Sequence, residues 1–112
     1  MERTGPLFMG GVPELLVLRL LSQSPMYGYE LVKSIRLVTG DAISIGEGVV
    51  YPLLHGLERS GSLRAKRQKN NGRTRVYYYL TAKGRKRLGR LTDEWARVSS
   101  GVNVALGDTS HA

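Results

Sequence analysis

The side chains with most to offer chemically are twelve bases strung along one stretch: Arg59, Arg64, Lys66, Arg67, Lys69, Arg73, Arg75, Lys83, Arg85, Lys86, Arg87 and Arg90. No acid interrupts them. The other five bases are diluted among all nine acids, so the stretch carries +12 and the rest of the chain −4. Segregation of this kind is the electrostatic footprint of a polyanion binder, because cations laid along a phosphate backbone release its condensed counterions. Solubility alone would be served by interspersed signs. Covalent chemistry has little to work with. The histidines are His55 and His111, the adjacent acids Asp93 and Glu94 point to different faces of a helix, and no other acids cluster as ligands would. With no cysteine in the chain, disulfides, iron–sulfur clusters and thiolate zinc sites are excluded. No catalytic residue, metal site or cofactor is therefore expected.

The elements that must position these bases can be read from periodicity. With 112 residues and 41% hydrophobic content, the chain is one domain's worth of protein with enough apolar matter for a core. Its longest apolar run, Leu15 to Leu18, stops at Arg19, far short of the ~20 residues of a membrane span. The N-terminus lacks the pattern of a signal peptide. A cytoplasmic protein with no membrane partner is expected. Residues 1–11 read as a flexible arm. A helix over 13–22 opens on Pro13 and carries Leu15, Leu16, Leu18, Leu20 and Leu21. A second helix over 27–39 repeats Leu31, Val32, Ile35 and Val38 at helical spacing, and a third over 47–60 turns Val50, Leu53, Leu54 and Leu57 inward. Pro52 falls in its first turn, where a missing N–H is tolerated.

A hairpin follows, with strands over 63–69 and 74–80 joined at Asn71-Gly72. That turn sets opposed positions that sum to 143. Leu63 with Leu80, Ala65 with Tyr78 and Arg67 with Val76 then face the helices. Arg64 with Tyr79, Lys66 with Tyr77 and Gln68 with Arg75 face outward. A slip of one residue would invert both faces. Thr81 caps a last helix over 82–106, on which Leu88, Leu91, Trp95, Val98, Val102 and Ala105 or Leu106 form a heptad-like seam. At ~1.5 Å per residue the helix is about 35–40 Å long, more than the rest of the body covers, so the seam is expected to pack on a second copy. Residues 107–112 read as a disordered tail.

Three short helices, a basic hairpin and a final helix make a mainly α fold with a β-hairpin wing. The organisation is a winged helix-turn-helix over 12–81 plus a long C-terminal dimerisation helix over 82–106. In this design the third helix enters the major groove of duplex DNA and the wing lies along phosphates. Arg64, Lys66, Lys69, Arg73 and Arg75 are the candidate phosphate contacts. Tyr51 either bonds a phosphate or base edge or packs over the second helix, and His55 lies one turn beyond it. Tyr77 and Tyr79 either brace the wing or stack on bases, and bracing is favoured because duplex DNA offers no splayed bases to stack on. Trp95, central in the seam, either fills a dimer core or pairs with its symmetry mate to sandwich a flat aromatic or cationic effector.

Three segments carry a family resemblance: Met26-Tyr27-Gly28-Tyr29-Glu30-Leu31, Gly48-Val49-Val50-Tyr51-Pro52-Leu53-Leu54-His55-Gly56-Leu57-Glu58, and Arg75-Val76-Tyr77-Tyr78-Tyr79-Leu80-Thr81-Ala82-Lys83-Gly84. Through them the chain resembles the PadR-like transcriptional regulators, over roughly residues 12–106, and within them the short subgroup with a single C-terminal helix. The resemblance implies a bacterial, cytoplasmic, dimeric DNA-binding repressor relieved by a small molecule, with Tyr51 and Pro52 approaching DNA. Tyr27, Val49, His55 and Arg59 complete the expected DNA-contact set. Position 49 is commonly Ser or Thr in such proteins, so Val49 removes a hydroxyl contact there. The rival expectation is a winged-helix adaptor that binds protein or RNA without operator specificity.

Overall fold

The computed structural model describes residues 11–107. The arm expected over 1–11 and the tail over 107–112 lie outside them except for Gly11 and Gly107, as does His111. Three helices wrap one apolar centre. Helix α1 (Val12–Leu21) buries Val17, Leu18, Leu20 and Leu21. Helix α2 (Gly28–Val38) contributes Leu31 and Ile35, and α3 (Glu47–Arg59) contributes Val50, Leu54 and Leu57. Ile45, Leu63 and Tyr78 close the cluster.

Of the four positions that its spacing turns inward, helix α2 buries Leu31 and Ile35, half-buries Val32 and leaves one in the open. Val38 is 61% exposed, and Ile45 from the following connector is buried instead. The cause lies in the turn that ends the helix. The Thr39 hydroxyl donates to the Ile35 carbonyl at 2.7 Å and accepts from the Ile43 amide at 3.2 Å, while Gly40 and Asp41 take positive φ of 58° and 65°. The chain therefore folds back after α2, and Ile45 of the connector joins the core.

Strands β2 (Leu63–Asn70) and β3 (Arg73–Leu80) pair in the expected register, from Leu63 with Leu80 to Asn70 with Arg73. Asn71 and Gly72 have φ of 52° and 78°, the double left-handed conformation that matches the twist of a two-residue hairpin. A third strand, β1 (Met26–Tyr27), stands where the second helix was expected to begin. It pairs antiparallel with β3 through Met26 with Tyr78 and Tyr27 with Tyr77, which makes a three-stranded sheet of order β1-β3-β2. Two residues are too few to show an alternating pattern, and the partner strand lies fifty positions further on. The apolar face of the hairpin is graded rather than uniform: Leu63 and Tyr78 are buried, Ala65 and Val76 half-buried, and Arg67 exposed. The sheet runs past the helical body before it turns.

Helix α4 (Ala82–Ala105) starts under the hairpin root. Thr81 accepts the Gly84 amide at 3.1 Å and donates to the Gly61 carbonyl at 2.6 Å, so one side chain caps the helix and ties it to the turn after α3. The approach leaves no space at Gly84. A Cβ there would lie 2.2 Å from the Ser62 carbonyl oxygen and 2.5 Å from Leu80 Cδ1. The helix is then fastened to α1 by an ion pair of Arg87 with Glu14, in which Nη2 donates to Oε1 at 3.0 Å and Nε to Oε2. This is a winged helix-turn-helix extended by a long helix. Among the described residues, no helix is long and apolar enough to cross a membrane, and no group of three side chains could hold a metal ion.

Gly84→Ala is expected to destabilise the protein by about 1–3 kcal/mol, because the contacted oxygen is backbone and cannot swing away. Urea denaturation monitored by helix content measures the change.

Candidate nucleic-acid interface

Helix α3 presents two unlike sides. Val50, Leu54 and Leu57 face the core, while Glu47, Gly48, Val49, Pro52, His55, Glu58 and Arg59 are exposed. Tyr51 sits between them, half-buried, with its ring laid against the first turn of α2. A Cβ at Gly28 would come within 2.5 Å of Tyr51 Cε1 and Cζ and within 2.7 Å of its hydroxyl oxygen. Packing over α2 is thus its structural role, and the absence of a side chain at Gly28 permits it. The ring also borders an open cleft between α3 and the wing, opposite Arg73 and Arg75, with His55 one turn along at a ring separation of 6.4 Å.

Tyr27 is engaged chiefly with the wing. Its ring meets that of Tyr77 edge-on at 5.4 Å and 75°, and the Arg75 guanidinium lies 4.5 Å over its face. Backbone pairing of the same two tyrosines adds to the joint. Further along the sheet, Gln68 Nε2 donates to the Tyr79 hydroxyl and Arg64 lies 5.9 Å over the Tyr79 ring. Tyr77 and Tyr79 brace the wing as their positions suggested. Lys66, Lys69 and Arg73 stay exposed, their charges engaged by no described side chain. At the buried end of the sheet, Tyr78 has its hydroxyl pushed above the usual tyrosine range by burial, with Glu58 and Tyr51 adding to the effect.

The basic stretch divides in three dimensions. Arg64, Lys66, Arg67, Lys69, Arg73 and Arg75 ride on the hairpin. Lys83, Arg85, Lys86, Arg87 and Arg90 lie on α4 beyond its root, which eight-residue strands at ~3.3 Å per residue separate from the turn by about 25 Å. Two of these have internal partners: Lys83 donates to the Ser60 carbonyl at the end of α3, and Arg87 holds Glu14. The hydrogen bond to Glu14 raises the Arg87 guanidinium above its ordinary value, with burial working against it. The +12 stretch is therefore not one surface, because the hairpin carries half of it away from the other half. Arg59, the last residue of α3, is exposed at the root end of that helix.

The seam on α4 divides likewise. Leu88 and Leu91 pack partly on the core of their own chain, whereas Trp95 (51% exposed), Val98 (45%), Val102 (51%) and Leu106 (79%) have no cover. Where α1 begins beside them, Val12, Leu15, Leu91, Glu94, Trp95 and Val98 line a groove of about 190 Å³. Sequence reasoning missed Gly28, Tyr29 and Thr74, which border the cleft beside Tyr51, and the Glu14–Arg87 tie. Each depends on a contact between separate elements. Only the glycine one residue after a tyrosine, at the start of a helix, hinted at a close approach.

Residues 17–90 match the family model described as the transcriptional regulator PadR-like family. An uncharacterised protein of Lysinibacillus sphaericus is 30% identical over 92 residues, which cover 81% of this chain and 84% of that one. Among solved structures, a PadR-like transcriptional regulator from Bacillus cereus is 31% identical with a TM-score of 0.77, covering 89% of this chain and 96% of its own. A transcriptional regulator from Clostridium thermocellum superposes with a TM-score of 0.81 at 27% identity, covering 89% and 95%. A PadR family regulator from Eggerthella lenta is 33% identical with a TM-score of 0.73, covering 86% and 82%.

Removing the Tyr27 ring should release the wing from α2. Tyr27→Ala is expected to speed amide hydrogen exchange over residues 74–78 and to weaken duplex binding up to roughly tenfold, the worth of one aromatic pair and one cation–π contact. Tyr27→Phe should keep both properties near the parent level. A loss in Tyr27→Phe as large as in Tyr27→Ala would assign the hydroxyl a direct DNA contact instead.

Proposed function

The chain belongs to the PadR-like family of transcriptional regulators, and from that premise we propose that it acts as a homodimeric repressor whose grip on DNA is relieved by a small molecule. As a member of that family it is a DNA-binding regulator of transcription, not an enzyme. The repressor, the dimer and the effector are the proposal. The observation that carries it is the uncovered apolar half of α4, where Trp95, Val98 and Val102 are each about half exposed on one side of a helix. Monomeric proteins rarely leave such a stripe in water, and a two-fold axis would bury it against its own copy.

In this reading the dimer holds two α3 helices about one turn of duplex apart, ~34–36 Å, each in the major groove of a half-site. Val49, Tyr51, Pro52 and His55 face the groove. Arg64, Lys66, Lys69, Arg73 and Arg75 neutralise phosphates, with Tyr27 and Arg59 at the margins of that surface. Arg75 reaches its phosphate while resting on the Tyr27 ring, a support that fixes its direction. The effector would enter the groove beside Trp95, where Glu94 adds a negative charge suited to a flat cation or aromatic. Helix α4 connects that groove to the hairpin root through Thr81 and to α1 through Glu14–Arg87. Tilting α4 would therefore change the separation of the two recognition helices. The place of work is the bacterial cytoplasm, where the DNA is.

Gel shifts test the reading directly. Its own upstream DNA should bind more tightly than scrambled duplex or structured RNA, whereas equal binding to all three favours the adaptor. Replacing Lys66 and Lys69 together by Ala should weaken every duplex and flatten the slope of log affinity against log salt by up to about 2. An unchanged slope would remove the wing from the interface. Light scattering should give a dimer for the parent protein. Trp95→Ala should stay dimeric and lose binding of a flat cationic dye; a monomeric variant would assign Trp95 to the dimer core.

A further inference from the structure

The side of α3 that faces the groove in the proposed reading has few of the usual tools for reading bases, its Glu47 being suited to accept from the amino group of cytosine. From Glu47 to His55 its exposed side chains are those of Glu47, Val49, Pro52 and His55. None is Arg, Lys, Asn or Gln, the residues that pair bidentately with guanine or adenine edges. The one arginine of the helix, Arg59, is ten residues past Val49, about 15 Å along the axis.

What the face does have is a rigid apolar pair. Val49 and Pro52 are three residues apart and so share a face. Val49 is 42% exposed, whereas its neighbour Val50 is fully buried, and Val49 belongs neither to the core nor to the side chains packed around it. Core packing therefore gives no reason for a valine here. The β-branch holds its methyl groups in one rotamer in a helix, and the proline ring is fixed by its own closure. Beside them Gly48 leaves open space, with nothing within 4 Å of where a Cβ would stand. A base edge can therefore come close to Val49 without displacing a neighbour. The apolar group on the major-groove edges of the four bases is the 5-methyl of thymine.

We propose that Val49, backed by Pro52, reads the 5-methyl group of a thymine, so that each operator half-site carries thymine under the first turn of α3. The proposal rests on the DNA-binding reading above. It adds the base class and the residue that selects it. Where a hydroxyl at position 49 would offer a bond to a phosphate or base, the valine substitutes exclusion of water from a methyl group. Discrimination is then by a methyl and not by a hydrogen bond.

The test begins with a site selected from a random duplex pool by the full chain. Each thymine of that site is then replaced singly by deoxyuridine, which removes the methyl and leaves the pairing and all hydrogen-bonding groups intact. Affinities are measured by fluorescence anisotropy at one salt concentration. One thymine in each half-site should lose about fourfold on this exchange, the worth of one buried methyl. In Val49→Ala the ratio of thymine to uracil affinity at that position should fall to near one. A parent protein that binds its selected site tightly but is indifferent to uracil at every position overturns the proposal and leaves the DNA-binding reading standing. So does a Val49→Ala variant that keeps the full uracil penalty. Failure to select any site, with no duplex bound, overturns both.

Discussion

At Tyr27-Gly28 the chain passes from strand to helix, and the rest of the candidate interface depends on that junction. Tyr27 lends its backbone to β3 and its ring to Tyr77 and Arg75. Gly28, one residue later, leaves the space that the Tyr51 ring of α3 fills. One side of the junction thus holds the wing and the other seats the recognition helix. The two parts assigned to DNA in the proposed reading are joined through two adjacent residues and not only through the loop between them. A β-carbon at Gly28 would displace the Tyr51 ring, and an apolar side chain without a ring at Tyr27 would leave Arg75 without its rest.

Electrostatics is organised by the same geometry. The hairpin extends beyond the helical body, and its bases lie in the open or over tyrosine rings. The bases of α4 lie at the other end, where Lys83 satisfies a carbonyl left over at the end of α3 and Arg87 binds Glu14 across to α1. Those two charges act within the fold. A helix C-terminus leaves carbonyls without partners, and a lysine from the next element is a natural donor to them. The charge free to meet phosphates is consequently smaller than composition suggests and more narrowly placed.

Helix α4 joins the wing root to the apolar seam. Its first three turns are held by Thr81, the close approach at Gly84, the Arg87 ion pair, Leu88 and Leu91. Its last three turns project with an uncovered apolar stripe. In the proposed reading, a lever fixed at one end to the wing root and α1, and uncovered at the other, would convert a change at the seam into a change at the wing. The groove beside Trp95 lies where the held part ends and the free part begins, so an occupant there would press on α1 and α4 at once.

By itself the sequence determined the features that local chemistry controls. The hairpin register followed from Asn71-Gly72, since two positive φ angles in a row and alternating apolar residues admit one pairing. Most of the three core stripes followed from helical spacing, although Val17 is buried where Leu15 and Leu16 were expected and Val38 is exposed, and the cap at Thr81 followed from its hydroxyl before a helical run. Tertiary structure decided the rest. Strand β1 exists because β3, fifty residues away, offers it an edge. Val38 is left exposed, whereas Ile45, beyond the Thr39 turn, enters the core. The basic stretch and the heptad seam each look continuous along the chain, but a helix or hairpin that outruns the body splits them into packed and open halves. Periodicity records which side of an element is apolar. It holds no record of how far along that element the rest of the molecule reaches, and here that length separates structural residues from those left free to bind.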